Sequence, residues 1–106
     1  MALQEFEAIR ELLCGQHKNV TKGRMMSSPA LHYKGKVFAF FSTKQKMVFK
    51  FGKGYPIETL RVKAAEFNPF TTKKPLAGWY EVNSDDSDQW THLSELALTL
   101  AKKNFK

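Results

Sequence analysis

Apolar and polar positions alternate most clearly between Ala30 and Phe51, in the stretch ALHYKGKVFAFFSTKQKMVFKF. A period of two marks strands with one buried face, and the stretch divides into three such runs. Lys34-Gly35 separates the first two, since Gly tolerates the positive φ that a tight hairpin turn needs. Lys44-Gln45 separates the last two. With a two-residue loop at each place, Tyr33 lies opposite Lys36, Leu31 opposite Phe38, Ser42 opposite Met47, Phe40 opposite Phe49 and Phe38 opposite Phe51. Directly paired residues share a face. One face is therefore expected to carry Leu31, Tyr33, Phe38, Phe40, Met47, Phe49 and Phe51, and to form the core. The other carries His32, Val37, Ala39, Phe41, Val48 and Lys50, a mixed surface.

The flanks change period. Leu3, Phe6, Ile9 and Leu13 recur at helical spacing, with Leu12 widening the stripe, and predict a helix over about residues 2–14 that stops at Gly15. Residues 15–25 are polar and basic and read as a loop with Val20 tucked inward. The first strand begins at about Met26 or Ala30, with Pro29 suiting an edge strand or its entrance; the next two cover about residues 36–42 and 46–51. Gly52-Lys53-Gly54 breaks the sheet. Pro56, Ile57, Leu60 and Ala64 predict a short helix over about residues 56–65, ended before Asn68-Pro69. Phe70-Thr71-Thr72 reads as a short strand and Lys73-Lys74-Pro75 as a turn. Residues 78–83 form a last strand with Trp79 and Tyr80 on opposite faces. Ser84 to Asp88 suits a helix start, because these side chains accept orphan backbone N–H bonds. Trp90, Leu93, Ala97, Leu100 and Ala101 continue as an amphipathic helix, with Leu96 beside them and Lys102, Lys103 and Lys106 at its negative end. The expected fold is α+β: an antiparallel five-stranded sheet with helices packed on one face, in the order α-βββ-α-ββ-α.

A length of 106 residues predicts one domain, and 42% hydrophobic residues with nine Phe supply a core for it. There is no apolar run of about 18 residues, so no membrane span is expected. Met1 leads almost directly into the first helix, which predicts no secretory leader. With a single cysteine, Cys14, no internal disulfide can form, and a cytoplasmic setting is expected.

Charge adds a second layer. Between Lys18 and Lys74 stand thirteen Lys and Arg against two acids, Glu58 and Glu66, a local net of +11 within an overall +7. Both flanks are mildly acidic. Such asymmetry points either to an anionic partner or to no more than solubility and two solvated hairpin tips. Lys34, Lys36, Lys44 and Lys46 flank the hairpin turns, Lys18, Lys22 and Arg24 occupy the preceding loop, and Lys73 and Lys74 another turn. These nine are the candidate nucleic-acid-binding residues, since cations at protruding turns can meet phosphates. Most Phe side chains belong to the core, so Tyr33, Phe41 and Tyr80 are the best candidates for stacking on bases. Val37, Phe41 and Val48, on the mixed face, are the candidate protein interface.

Catalytic and metal chemistry finds little support. Cys14 and His17 are three apart, but a zinc site needs three or four protein ligands, and His32 and His92 are distant in sequence. Cys14 has no flanking signature of a nucleophile. Asp85, Asp86 and Asp88 lack the Gly and the Glu of a calcium loop. Gly52-Lys53-Gly54 is not a phosphate loop. The expectation is no enzyme and no cofactor.

The run GRMMSSPALHYKGKVFAFF, then MVFKF, then FNPFTTKKPLAGWYEVN and a final amphipathic helix resembles the amino-terminal domain of the TfoX competence-regulator family over about residues 6–103. The matching features are Arg24-Met25-Met26, Gly35 to Ala39, Lys50, Pro69-Phe70 and Trp79 to Val82, in order and spacing. Ser27-Ser28 departs from a Gly pair common in the family. The resemblance implies a stand-alone version of that α+β domain in the bacterial cytoplasm, with a regulatory role and no catalytic residues to transfer. It is also similar in architecture to YjbR-type domains, for which double-wing DNA binding has been proposed. Together these readings predict a non-enzymatic regulatory domain that contacts nucleic acid weakly and nonspecifically through basic hairpin turns. The alternative is a protein–protein adaptor or homodimer using the mixed face.

Overall fold

A computed structural model describes residues 2–25, 28–52, 54–60, 62–67 and 78–104. Helix α1 (Ala2–Gln16) leads into strands β1 (Val20–Met25), β2 (Ser28–Tyr33), β3 (Lys36–Phe41) and β4 (Met47–Lys50). A single 3₁₀ turn (Ile57–Leu60), β5 (Ala64–Glu66), β6 (Trp79–Val82), a 3₁₀ segment (Ser84–Gln89) and α2 (Trp90–Asn104) follow. The fold is α+β, as expected. Among the described residues the sheet is antiparallel with six strands, where five were expected, ordered β1-β2-β3-β4-β6-β5.

Two elements differ in type from the sequence reading. Residues 20–25, expected as loop, form β1 and pair with β2 from Val20↔Tyr33 to Met25↔Ser28. Its sequence does not read as a strand because it is an edge: Lys22, Gly23 and Arg24 are what edge strands carry to discourage further pairing. Gly23 is required there, since a Cβ would lie 2.2 Å from Nε2 of His32, whose ring covers it from β2. With β1 outside it, β2 is an interior strand, and Pro29 sits near its start. The helix expected over residues 56–65 shrinks to one 3₁₀ turn, and Ala64–Glu66 pairs with β6 instead. A helix of that length is marginal, and the open edge of β6 offers hydrogen bonds that outcompete it. The strand expected at Phe70-Thr71-Thr72 and the turn at Lys73-Lys74-Pro75 lie outside the described residues. At the first helix, Gly15 falls within the last turn rather than after it, and His17 N still donates to Leu13 O at 3.0 Å.

Register decides which side chains are core. Lys34 (φ 49°) and Gly35 (φ 85°) form the expected two-residue turn, with Tyr33 opposite Lys36 and His32 opposite Val37. Beyond that pair β3 bulges. Phe38 is the extra residue, and Leu31 meets Ala39 instead of Phe38. At the other end of β3 the loop has three residues, Thr43, Lys44 and Gln45, not two. Gln45 N donates to Ser42 O, Ser42 N to Lys46 O, and Gln45 takes the left-handed conformation at φ 61°, the three-residue hairpin with a bulge. Phe40 therefore faces Val48, and Ala39 faces Phe49. The expected Phe40–Phe49, Ser42–Met47 and Phe38–Phe51 pairings do not form.

The two departures compensate. The bulge flips β3 after Phe38, and the longer loop flips the chain back, so β4 keeps its expected faces. Leu31, Tyr33, Phe38, Met47, Phe49 and Phe51 lie in the helix-side core as anticipated, together with Phe6, Ile9, Leu13, Trp90, Leu93, Ala97 and Leu98. Ala39 and Phe41 join them, whereas Phe40 turns away. Phe41 stacks on Phe6 with centroids 5.5 Å apart. On the opposite face Phe40, Val48, Ala30 and Phe67 make a second apolar cluster. Phe67 meets Phe40 edge to face at 5.2 Å, and Trp79 meets it at 5.6 Å. Trp79 and Tyr80 fall on opposite faces, as the alternation predicts. Asn83 caps the 3₁₀ segment by accepting from Asp85 N, and α2 then lays Trp90, Leu93 and Ala97 on the sheet.

Phe40→Ala and Phe49→Ala should each cost about 3–5 kcal/mol, since both rings are fully buried. Because the rings occupy opposite faces, chemical denaturation of both single variants and the double variant should give nearly additive losses; coupling above about 0.5 kcal/mol would place them in one cluster. Within the helix-side core, Trp90 Nε1 and Ser94 Oγ, one turn apart on α2, are buried with no hydrogen-bond partner among the described residues. An unsatisfied buried hydroxyl is costly, so Ser94→Ala should raise stability by about 1 kcal/mol in the same assay; a loss of that size would mean that the hydroxyl is satisfied.

Candidate nucleic-acid interface

The nine candidate cations do not form one surface. Lys18 lies in the turn between α1 and β1, and Lys34 at the β2–β3 tip; the two segments are joined because Lys34 N donates to Asn19 O at 3.0 Å. Lys36 opens β3 beside them. All three are exposed at one end of the sheet. The Lys34 ammonium lies 5.6 Å from the centre of the Tyr33 ring, a cation–π contact that orders the tip.

The remaining candidates are elsewhere. Lys22 projects from β1 toward α1 and forms an ion pair with Glu11. Lys46, at the start of β4, lies 3.7 Å from Glu81 on β6. Both charges are thus offset locally. Lys44 sits in the β3–β4 loop, at the opposite end of β3 from Lys34. Arg24, near the far end of β1, lines an open groove of about 500 Å³ with Glu7 and Arg10, a setting of mixed sign. Lys73 and Lys74 lie outside the described residues.

Tertiary structure adds cations that the sequence reading left out. Antiparallel pairing returns the end of β4 to the start of β3, so Lys50 shares a pocket wall with Lys36. The last turns of α2 reach the same place, where Leu100 and Ala101 complete the wall. Lys102 and Lys103 are exposed just beyond it, and Lys102 Nζ is 3.5 Å from His17 Nδ1 at the end of α1. Lys18, Lys34, Lys36, Lys50, Lys102 and Lys103 therefore lie at one end of the molecule, with Lys50 on the sheet face that carries Trp79. Strand direction alone could have linked Lys50 to Lys36. The C-terminal lysines read only as partners of the helix dipole, because nothing in the sequence says which end of the sheet that helix reaches.

The candidate protein interface also divides. Val37 and Val48 belong to the second apolar cluster, half-buried and buried respectively, while Phe41 is buried under α1 on the other face. Among the described residues the exposed large hydrophobics are Leu3 and Leu12, both on α1. Tyr33, Phe41 and Tyr80, the candidates for base stacking, are all at least nine-tenths buried.

Cys14 packs partly against the core, and burial pushes its thiol above the ordinary 9.0. His17 contacts Lys102, His32 covers Gly23 and His92 is exposed on α2. Among the described residues no three His, Cys, Asp or Glu side chains are grouped to hold a metal ion. No helix of the described residues is long and apolar enough to cross a membrane. Comparison with known proteins returns no match: no family model fits the chain, and no curated protein and no solved structure is similar to it.

Glu11 is held below its ordinary 4.5, first by its hydrogen bond to Lys22 and then by the charge of that lysine. A carboxylate depressed in the folded state stabilises above its unfolded value and loses that contribution as pH falls through the folded value. Carboxyl NMR titration should show Glu11 titrating below 4.5 in the wild-type protein and returning toward 4.5 in Lys22→Gln.

Proposed function

We propose that this domain is a non-enzymatic regulatory module that contacts nucleic acid, weakly and without sequence preference, through the basic end of its sheet. The observation that carries the proposal is the convergence of Lys18, Lys34, Lys36, Lys50, Lys102 and Lys103 from four separate segments. Clustered cations gather phosphates by counterion release. The segments that supply it are two turns, a strand end and a helix end, so the cations protrude. The TfoX-like run of residues supports the regulatory part of the reading.

Burial of Tyr33, Phe41 and Tyr80 favours duplex over single-stranded nucleic acid, because single strands are held largely by stacking on accessible rings. Phosphate contacts position a protein but carry no sequence information. Neither helix is free to enter a groove by its apolar side, since both lay that side on the sheet. The adaptor alternative depends on an exposed apolar patch, and the described residues of the second face are half-buried or buried around Phe40 and Val48.

If about four lysines reach phosphates, the log–log salt slope on duplex DNA should be about −3 to −4, and affinity should fall roughly a hundredfold between about 50 and 200 mM salt. Fluorescence anisotropy should show that slope flattening when Lys18, Lys34, Lys102 and Lys103 are all replaced by Gln. Replacing Arg24 and Lys44 by Gln should leave it unchanged. Absence of binding at low salt and micromolar protein would remove the nucleic-acid reading.

A further inference from the structure

His17 stands where three of the basic segments meet. It follows the last residue of α1, and its backbone is held on both sides: its N–H donates to Leu13 O at 3.0 Å and its carbonyl accepts from Val20 N at 3.2 Å. Two residues on, Asn19 O accepts from Lys34 N at the β2–β3 tip. From α2, Lys102 Nζ comes within 3.5 Å of His17 Nδ1. The half-buried ring is therefore set among cations. Lys18 adjoins it in sequence, Lys103 follows Lys102 on α2, Lys34 stands at the tip, and Cys14 lies one turn back on α1. Glu11, the nearest acid along α1, is taken up by Lys22. Among the described residues no carboxylate lies within ion-pair distance of His17, Lys18, Lys102 or Lys103.

An ammonium has donors and no acceptor, so Nδ1 meets Lys102 only through its lone pair, in the neutral imidazole. Protonation ends that contact and sets two like charges side by side. A phosphate between them reverses the balance. It accepts from the ammonium and from the ring N–H that protonation creates, and an opposite charge close by favours the charged form of a titrating group. Histidine is the side chain that changes charge between about pH 5 and 8. We propose that His17 is a conditional phosphate ligand of the basic end, neutral where it accepts from Lys102 and protonated where a nucleic-acid phosphate lies between the two. This rests on the nucleic-acid reading and deepens it, since binding then takes up a proton at Nδ1 of His17. The gain in affinity is present at low pH and lost as the pH rises through the titration of the bound imidazole.

The test is fluorescence anisotropy of the full chain on a labelled DNA duplex, at one low salt concentration and at about pH 6 and about pH 8. The wild-type protein should bind about threefold tighter or more at the lower pH, with roughly tenfold per pH unit as the ceiling for one proton. His17→Gln should remove that difference. His17→Lys, which holds the charge at both pH values, should also remove it while binding more tightly than wild type at the higher pH. His92→Gln, which removes an exposed imidazole near the start of α2, should keep the wild-type difference. By NMR, the His17 ring should titrate at a higher pH with saturating duplex than without it. Equal wild-type affinity at the two pH values would overturn the proposal. So would a pH difference that survives His17→Gln, or a ring titration that DNA does not move. Each of these can occur with the salt slope intact, which leaves the nucleic-acid reading standing. Absence of binding at both pH values removes the two together.

Discussion

Strand register is the constraint on which the rest of this domain depends. Side chains alternate with a period of two, so one extra residue in a loop or a strand exchanges the faces of everything after it. Here two such residues act in opposition, Phe38 in the β3 bulge and the third residue of the β3–β4 loop. The result is local. Ala39, Phe40 and Phe41 exchange faces, while β4 and β6 keep theirs. That exchange puts Phe41 under Phe6 of α1 and frees Phe40 to join Phe67 and Trp79. A sheet that is covered by helices on one side thereby gains a second, smaller apolar cluster on the other.

The edges of the sheet show how the polar residues contribute. β1 carries Lys22 and Arg24 on the helix side and Gly23 on the other, so it closes one edge without inviting a further strand. Lys22 is also the link between that edge and α1 through Glu11, an exposed pair whose contribution to stability is small. β5 closes the opposite edge with only three residues. Short, charged edges are the usual defence of an antiparallel sheet, and both occur here.

Charge is sorted by the same topology. Hairpins send alternate turns to opposite ends of the sheet, which separates Lys34 from Lys44. Antiparallel pairing then brings Lys50 back to Lys36, and the path of α2 adds Lys102 and Lys103. Cations that the sequence presents as one basic region become a basic end, two locally offset ion pairs and a mixed-sign groove. The basic end and the cavity beside it are consequences of where strands and helices stop, not of any contiguous motif.

Much of the fold was legible in residue order. The α+β class, both long helices, the Lys34-Gly35 turn, the inward Val20, the opposite faces of Trp79 and Tyr80 and the capped start before Trp90 all follow from periodicity and turn chemistry, which are local. What sequence left open was decided by partners distant along the chain. β1 is a strand because β2 offers it hydrogen bonds, and residues 64–66 extend because β6 has a free edge. A three-residue loop and a two-residue loop are both compatible with Ser-Thr-Lys-Gln-Lys; the choice falls to packing, which gains a stacked Phe6–Phe41 pair under α1. The gathering of Lys18, Lys50 and Lys102 is wholly tertiary, since no local rule relates the end of a strand to the end of a helix about fifty residues later. Local preferences set the elements, and non-local burial and pairing set their register and the surface they share.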